Sequence, residues 1–224
     1  PRLISASMRP TLKITKVKDF KVTGDGKSGA WKNASWQRLA RLGEGSLRYS
    51  TKAKVLYSEK GVYFLFKCAD RKLTCNLARD FDDLYKQDVV EVFLWPNTRQ
   101  NLYFEYEVSP LGRQLPILVP NNRGIFFGWR PWHFNGDRRT KVKTSVLGGK
   151  KAAMARVTGW LAEFFIPFSL LKGLGNVPPS EGTTWRANMY RIDYDRQTRS
   201  LWAWSSVSGN TFHDFHNFGS FKFE

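Results

Sequence analysis

"DVVEVFLWPNTRQNLYFEYEV", residues 88–108, decides the fold. Two short runs of β-branched, aromatic and apolar residues flank a Pro-Asn turn, the pattern of two strands joined by a tight connection. Side chains alternate between faces along a strand. Val90, Val92 and Leu94 therefore share one face, and Val89, Glu91, Phe93 and Trp95 share the other. Downstream, Leu102, Phe104, Tyr106 and Val108 fall together, opposite Tyr103, Glu105 and Glu107. Paired as a hairpin, the two wholly apolar faces enter one core. Glu91, Glu105 and Glu107 then line the second face among Phe93, Trp95 and Tyr103. This predicts a sheet surface of carboxylates and aromatics on which Glu91 need not be a buried charge.

The rest of the chain repeats the strand signal. Residues 49–57 (YSTKAKVLY) alternate, and 62–69 (VYFLFKCA) are short, apolar and aromatic after an SEKG turn. Residues 160–166 (WLAEFFI) are stopped by Pro167; 185–194 (WRANMYRIDY), 201–207 (LWAWSSV) and 218–223 follow. Helical periodicity is nearly absent. Only 35–42 (SWQRLARL) and 168–174 (FSLLKGL) offer a turn or two. Many short strands with closely spaced turns predict an all-β fold: a two-sheet antiparallel β-sandwich, jelly-roll or immunoglobulin-like, with one or two short helices. No linker or repeat divides residues 1–224, which read as one domain. Residues 111–150 are basic and rich in Gly and Pro, and read as an irregular segment.

Composition supports a large core. Of 224 residues, 42% are hydrophobic, including nine Trp, eight Tyr and seventeen Phe. No apolar run approaches the roughly 20 residues that span a bilayer, and residues 1–10 show no signal-peptide core. Cys68 and Cys75 are too few for a disulfide scaffold. Free thiols are favoured, with a local bridge as the alternative. The formal net charge is +17, yet residues 80–107 hold seven acids and two basic residues. Such a charge draws a protein to polyanions, whether acidic polysaccharide, nucleic acid or anionic lipid.

Catalytic signals are weak. The three histidines (His133, His213, His216) accompany no nucleophile-elbow pattern, and no Walker or Rossmann glycine pattern exists. Glu91, Glu105 and Glu107 could supply a hydrolytic pair. The same carboxylates beside Phe93, Trp95 and Tyr103 suit sugar binding, in which rings stack on pyranose faces and charged groups bond hydroxyls. Trp202 and Trp204 share a strand face, and at least one of them is a candidate for a groove wall. Trp129 and Trp132 lie in the irregular basic segment and are less easily explained as core.

Six segments, in order, resemble the family 9 carbohydrate-binding modules and their DOMON-like relatives: GDGKSGAW (24–31), VYFLFKCAD (62–70), DLYKQDVVEVFL (83–94), GWLAEFFIPFSLL (159–171), WRANMYRID (185–193) and HDFHNFG (213–219). The resemblance implies a non-catalytic β-sandwich that holds a glycan or polysaccharide terminus between two aromatic rings. Carboxylates and Arg would bond the hydroxyls. Such modules are often attached to polysaccharide-degrading enzymes, so a secreted, periplasmic or cell-surface setting is implied. Nucleic acid and a membrane span are not. Carried over by motif, Tyr85 takes the first clamp position, Glu91 the strand carboxylate, and Trp202 or Trp204 the second clamp. Glu105, Tyr103, Trp95 and Arg191 complete the expected ligand-binding set. The basic charge adds an acidic glycan to the expected ligands. Structural calcium is also implied, with no ligands assigned. Two alternatives stand beside this reading. One is an interaction domain of a larger surface protein that has lost its sugar site. The other is a glycoside-active enzyme or a haem-binding DOMON-like domain, for which Met154 and His133 are the only ligands on offer.

Overall fold

The structure is a computed structural model that describes residues 9–45, 47–122, 125–196, 198–209 and 211–224. Residues 1–8, most of the stretch read above for a leader, lie outside the described residues. Fifteen strands are formed among the described residues. They are β1 (Thr11–Ile14), β2 (Gln37–Arg38), β3 (Ala40–Leu42), β4 (Thr51–Tyr57), β5 (Gly61–Ala69), β6 (Val89–Trp95), β7 (Leu102–Val108) and β8 (Gln114–Asn122). After these come β9 (Ile125–Phe126), β10 (Arg130–Pro131), β11 (Lys141–Leu147), β12 (Gly159–Pro167), β13 (Thr184–Asp193), β14 (Ser200–Ala203) and β15 (Gly219–Phe223).

Two sheets result. The larger runs β1-β15-β13-β6-β7-β8-β10, with β14 bridging β13 to β3 and β9 hydrogen-bonded to β8. The smaller runs β11-β12-β5-β4-β2. Pairing is antiparallel except for β1 against β15. The fold is the expected β-sandwich, and the 88–108 hairpin sits at its centre: Val90 faces Val108, Glu91 faces Glu107 and Leu94 faces Phe104. Its apolar phase is the one read from the sequence. Val90, Val92, Leu94, Phe104 and Tyr106 pack between the sheets against Phe64, Phe66 and Phe164.

The second face of the hairpin differs from expectation. It is not a solvated sheet surface. Leu84, Phe212, Phe215 and Phe218, carried on the connections before β6 and after β14, cover Phe93, Trp95, Tyr103 and Tyr190 and make a second core. The hydrophobic effect favours burying these large rings, and the glutamates among them are buried with them: Glu91 is 1% exposed and Glu107 0%.

A third, smaller core lies on the outer face of the other sheet, where Val22 and Trp31 pack on Leu56, Tyr63, Leu65 and Phe165. Glu163 anchors this flap. One of its carboxylate oxygens accepts from the Gly24 amide at 2.6 Å and the Thr23 amide at 3.1 Å, and the other accepts from Trp31 Nε1 at 3.0 Å. Gly24 is required here: its φ is +87°, and a Cβ would lie 2.8 Å from the Lys143 Cβ.

Two further expectations are corrected. Residues 35–42 are not helical. Gln37–Arg38 pairs with β4 and Ala40–Leu42 with β14, so this segment crosses from one sheet to the other with Leu39 in the core. Tertiary pairing overrides the weak helical propensity. Residues 111–150 carry strands β8 to β11, which take up half of the segment. Pro116 and Pro120 hide the strand signal of β8. They are tolerated because only two-residue strands flank its outer side, near the sheet edge. The 168–174 segment does form a helical turn, Phe168–Leu171, continued as a 3-10 turn. Cys68 and Cys75 are both buried free thiols, and burial pushes each up to about 12.

Candidate functional site

The covered face of the large sheet is not sealed. A cavity of about 220 Å³ opens into it, with Glu91, Glu105 and Glu107 among the residues that line it. Strand register brings the three together: Glu91 lies opposite Glu107 across the hairpin, and Glu105 is two residues along the same face. One oxygen from each carboxyl lies within 4.8 Å of the others. The walls are aromatic and apolar: Tyr85, Phe126, Trp129, Ile192, Leu201 and Phe212.

Several of these groups are held from behind. Tyr85 sits on the 3-10 turn Leu84–Lys86, and its carbonyl accepts from the Tyr194 hydroxyl at 2.9 Å. His213 Nδ1 is 2.6 Å from the Tyr103 hydroxyl, and the Phe126 ring stacks on the imidazole at 4.3 Å between centroids. Phe212 stacks on Tyr190 at 4.0 Å.

Burial dominates the electrostatics. It pushes the Glu105 carboxyl up to about 8. It also holds Glu91 and Glu107 well above the carboxylate range, and the neighbouring glutamates add to the shift. Arg199, on the wall, pulls Glu91 partway back. Burial lowers His213 to about 4, so its imidazole is neutral at pH 7. The triad thus retains protons near neutrality. A protonated carboxyl both donates and accepts hydrogen bonds, which suits hydroxyl-rich ligands.

The expected site residues divide. Tyr85, Glu91 and Glu105 meet in the cavity wall. Trp95 and Tyr103 belong to the core behind it. The Trp95 indole donates to the Gln100 carbonyl, and Tyr103 reaches the cavity only through His213. Trp202, Trp204 and Arg191 are corrections. Alternation along β14 turns Leu201 toward the cavity side and Trp202 into the space between the sheets, and Trp204, just past the strand and half-buried, packs against that same core. Trp202 is 1% exposed, and Trp204 packs on Phe221. Neither can clamp a ligand opposite Tyr85. Trp129, Phe126 and Phe212 supply the aromatic walls instead. Trp129 carried a signal, a tryptophan in a polar loop. His213 opens the family-like segment HDFHNFG, whereas Phe126, Arg199 and Phe212 carried no signal, because folding of distant segments brings them to the cavity.

Arg191 is fully buried and bonds Asp70 at 3.1 Å, Asp193 at 2.7 Å, Thr51 Oγ1 at 3.0 Å and the Ala69 carbonyl at 2.7 Å. Its guanidinium lies over the Trp202 ring at 5.0 Å and the Tyr49 ring at 5.5 Å. Asp70, Asp88, Asp193 and Asp195 form a second acidic cluster around it, each offering an oxygen within 4.8 Å of the rest. Burial raises Asp70 to about 7 and Asp88 to about 9. Four carboxyl groups against one guanidinium leave an excess of acid, which Asp70 and Asp88 meet by holding protons unless a cation replaces them. All-oxygen donors with spare lone pairs fit a hard cation such as calcium and do not suit zinc. Asp80 and Asp82 lie outside this cluster. Asp80 accepts from the Gln114 amide, and Asp82 accepts from the Arg79 amide and pairs with its side chain. Both are turn residues. His133 packs against Phe81, and the Met154 amide bonds the Leu73 carbonyl, so the two candidate haem ligands serve separate loops.

The fold and site together define a β-sandwich with a small cavity walled by rings and floored by carboxyls. Residues 22–224 match the family described as carbohydrate family 9 binding domain-like, and the chain belongs to that family. Among solved structures, a proposed carbohydrate-binding protein from Bacteroides uniformis ATCC 8492 superposes with a TM-score of 0.77 at 18% identity, covering 96% of this chain and 99% of that one. A family 9 carbohydrate-binding module from Caldicellulosiruptor kristjanssonii in complex with glucose gives 0.67 at 18% identity, covering 96% of both chains. The same organism's module with cellotriose gives 0.66 at 17% identity, over 96% of this chain and 94% of that one. Among curated proteins, none matches the chain. Among the described residues, no helix is long and apolar enough to cross a membrane.

Proposed function

We propose that this domain binds carbohydrate without catalysis, taking one sugar unit at a chain end into the Glu91–Glu105–Glu107 cavity. The observation that carries the reading is the cavity itself, where ring faces and hydrogen-bonding carboxyls converge in a family of carbohydrate-binding domains. Tyr85, Phe126 and Trp129 would contact the apolar faces of the sugar, and the carboxyls and Arg199 its hydroxyls. The glucose and cellotriose complexes of the Caldicellulosiruptor module support a glucan-type ligand. The family's description as a binding domain favours binding over hydrolysis. The net charge of +17 adds attraction for acidic glycans. It would act outside the cavity, for example along the groove lined by Lys21, Lys60, Arg139, Lys141 and Lys143. Loss of the sugar site would be favoured by Tyr85 buried with both tryptophans, but Tyr85 stands half-buried in an open wall. The Asp70–Asp88–Asp193–Asp195 cluster would hold a structural calcium, and binding of polysaccharide ends would suit a secreted, periplasmic or cell-surface setting.

Affinity electrophoresis in gels containing soluble glucans, acidic polysaccharides or neither tests the binding. Retardation of the wild type that is lost in Tyr85→Ala and Trp129→Ala is the expected result. Retardation unchanged in both variants, or none in any gel, would overturn the assignment.

A further inference from the structure

The triad holds more carboxyl than neutral hydroxyls require. Glu91, Glu105 and Glu107 are each at least nine-tenths buried. Glu91 Oε1, Glu105 Oε2 and both Glu107 oxygens lack a hydrogen-bond partner at full geometry. All three residues line the cavity, so these oxygens form its floor, where Glu107 has only looser approaches from Glu105 and the Tyr85 amide. A buried acceptor left unpaired costs about 1–3 kcal/mol, more when charged. Arg199 can answer one negative charge. The site has three carboxyls, so acceptors remain after that pairing.

A protonated primary amine answers this arrangement. It presents three N–H donors in a tetrahedral fan to the unpaired carboxyl oxygens, and its positive charge would drive one proton from the otherwise protonated triad to solvent. A divalent ion would match the carboxyls too, but it has no use for the rest of the cavity. Tyr85, Phe126 and Trp129 present ring surfaces at the same opening. Such walls suit a ring-sized organic group and attract a cation through their π faces. A cavity of about 220 Å³ is smaller than the roughly 300 Å³ lower bound of drug-sized sites, so one sugar residue is the right scale.

Building on the carbohydrate-binding reading above, we infer that the preferred ligand of the cavity is an amino sugar with a free, protonated amine, its ammonium group seated on Glu91, Glu105 and Glu107. The basic surface outside the cavity does not oppose this. It acts on flanking units of the chain, while the terminal unit meets the local carboxyls.

Isothermal titration of the full chain with D-glucosamine, D-glucose and N-acetyl-D-glucosamine, near pH 6 in calcium-containing buffer, tests the inference. The three sugars share a ring and differ in the charge and size of one substituent. Glucosamine should bind about tenfold more tightly than either neutral sugar, the size of a typical charge-assisted bond. In the Glu91→Gln/Glu107→Gln double variant that ratio should fall to about one. The substitution preserves side-chain size, and circular dichroism checks its fold. If the variant does not fold, the wild-type ratio decides alone. Equal binding of the three sugars would overturn amine recognition and leave the carbohydrate reading standing. Binding of glucose and cello-oligosaccharides with no binding of glucosamine would do the same. No binding of any sugar would overturn both. Magnesium or calcium displacing glucosamine competitively would show that the triad is a cation site, and would also overturn the inference.

Discussion

The buried glutamates make a quantitative prediction about stability. Glu105 has a folded pKa of about 8 against an ordinary value of 4.5. The folded state therefore holds its proton more tightly than the unfolded state does. The stability this provides is complete below pH 4.5 and is lost as the pH rises through about 8. Each pH unit across that window costs about 1.4 kcal/mol per proton, which sets a ceiling of roughly 5 kcal/mol for one group. Solvent entering through the cavity mouth screens part of this and leaves about 2–3 kcal/mol. Glu105→Gln removes the titration while keeping the side chain's shape. The variant should match the wild type near pH 4.5 and become progressively more stable than it up to about pH 8. Urea unfolding followed by tryptophan fluorescence, at a series of pH values in calcium-saturated buffer, reads the difference directly. Saturating calcium matters because the aspartate cluster is shifted in the same direction. Parallel stability curves for the two proteins would refute the reasoning, as would a variant that weakens relative to wild type as pH rises.

Other outcomes follow from the same geometry. Trp202→Ala should destabilise the fold by about 3–5 kcal/mol by opening a cavity between the sheets, whereas Tyr85→Ala should cost under about 1 kcal/mol and act on binding. Denaturant midpoints compared with gel retardation separate the two effects. Arg191→Leu leaves buried Asp70 and Asp193 without their cation and should cost about 3–5 kcal/mol; adding Asp70→Asn should recover part of the loss. Calcium should raise the melting temperature of the wild type relative to chelator-treated protein, by about 2.7 kcal/mol of stability at a hundredfold excess over its dissociation constant. In Asp88→Asn that gain should shrink, and an unchanged gain would show that the ion binds elsewhere.

Much of the fold was legible because strand phase is a local property. The period-two pattern of 88–108 placed Val90, Val92 and Leu94 between the sheets and grouped the three glutamates on one face, as the register shows. The same pattern could not say what lies above that face. Whether a sheet surface meets water depends on segments distant in sequence. Phe212 and Phe218 close over Glu91 and Tyr103 from more than a hundred residues away. Trp202 and Trp204 were correctly assigned a common face, but which side of the sheet that face took followed from β14 pairing with β13 and β3. Residues 35–42 misled for a related reason: a sheet-crossing strand with one buried leucine has too little periodicity to outweigh helix-forming residues.

The sequence by itself determined the all-β class, the facing of the 88–108 hairpin, the family and the clustering of carboxyls beside Tyr85, because each rests on short-range alternation or on motifs within a few residues. Tertiary structure alone decided that Glu91, Glu105 and Glu107 are buried, that Trp129 and Phe126 rather than Trp202 share the cavity with Tyr85, and that Arg191 neutralises aspartates instead of meeting a ligand. Burial and partner choice are set by contacts between residues far apart in the chain, and desolvation by those contacts is what turns three ordinary glutamates into proton-holding acceptors.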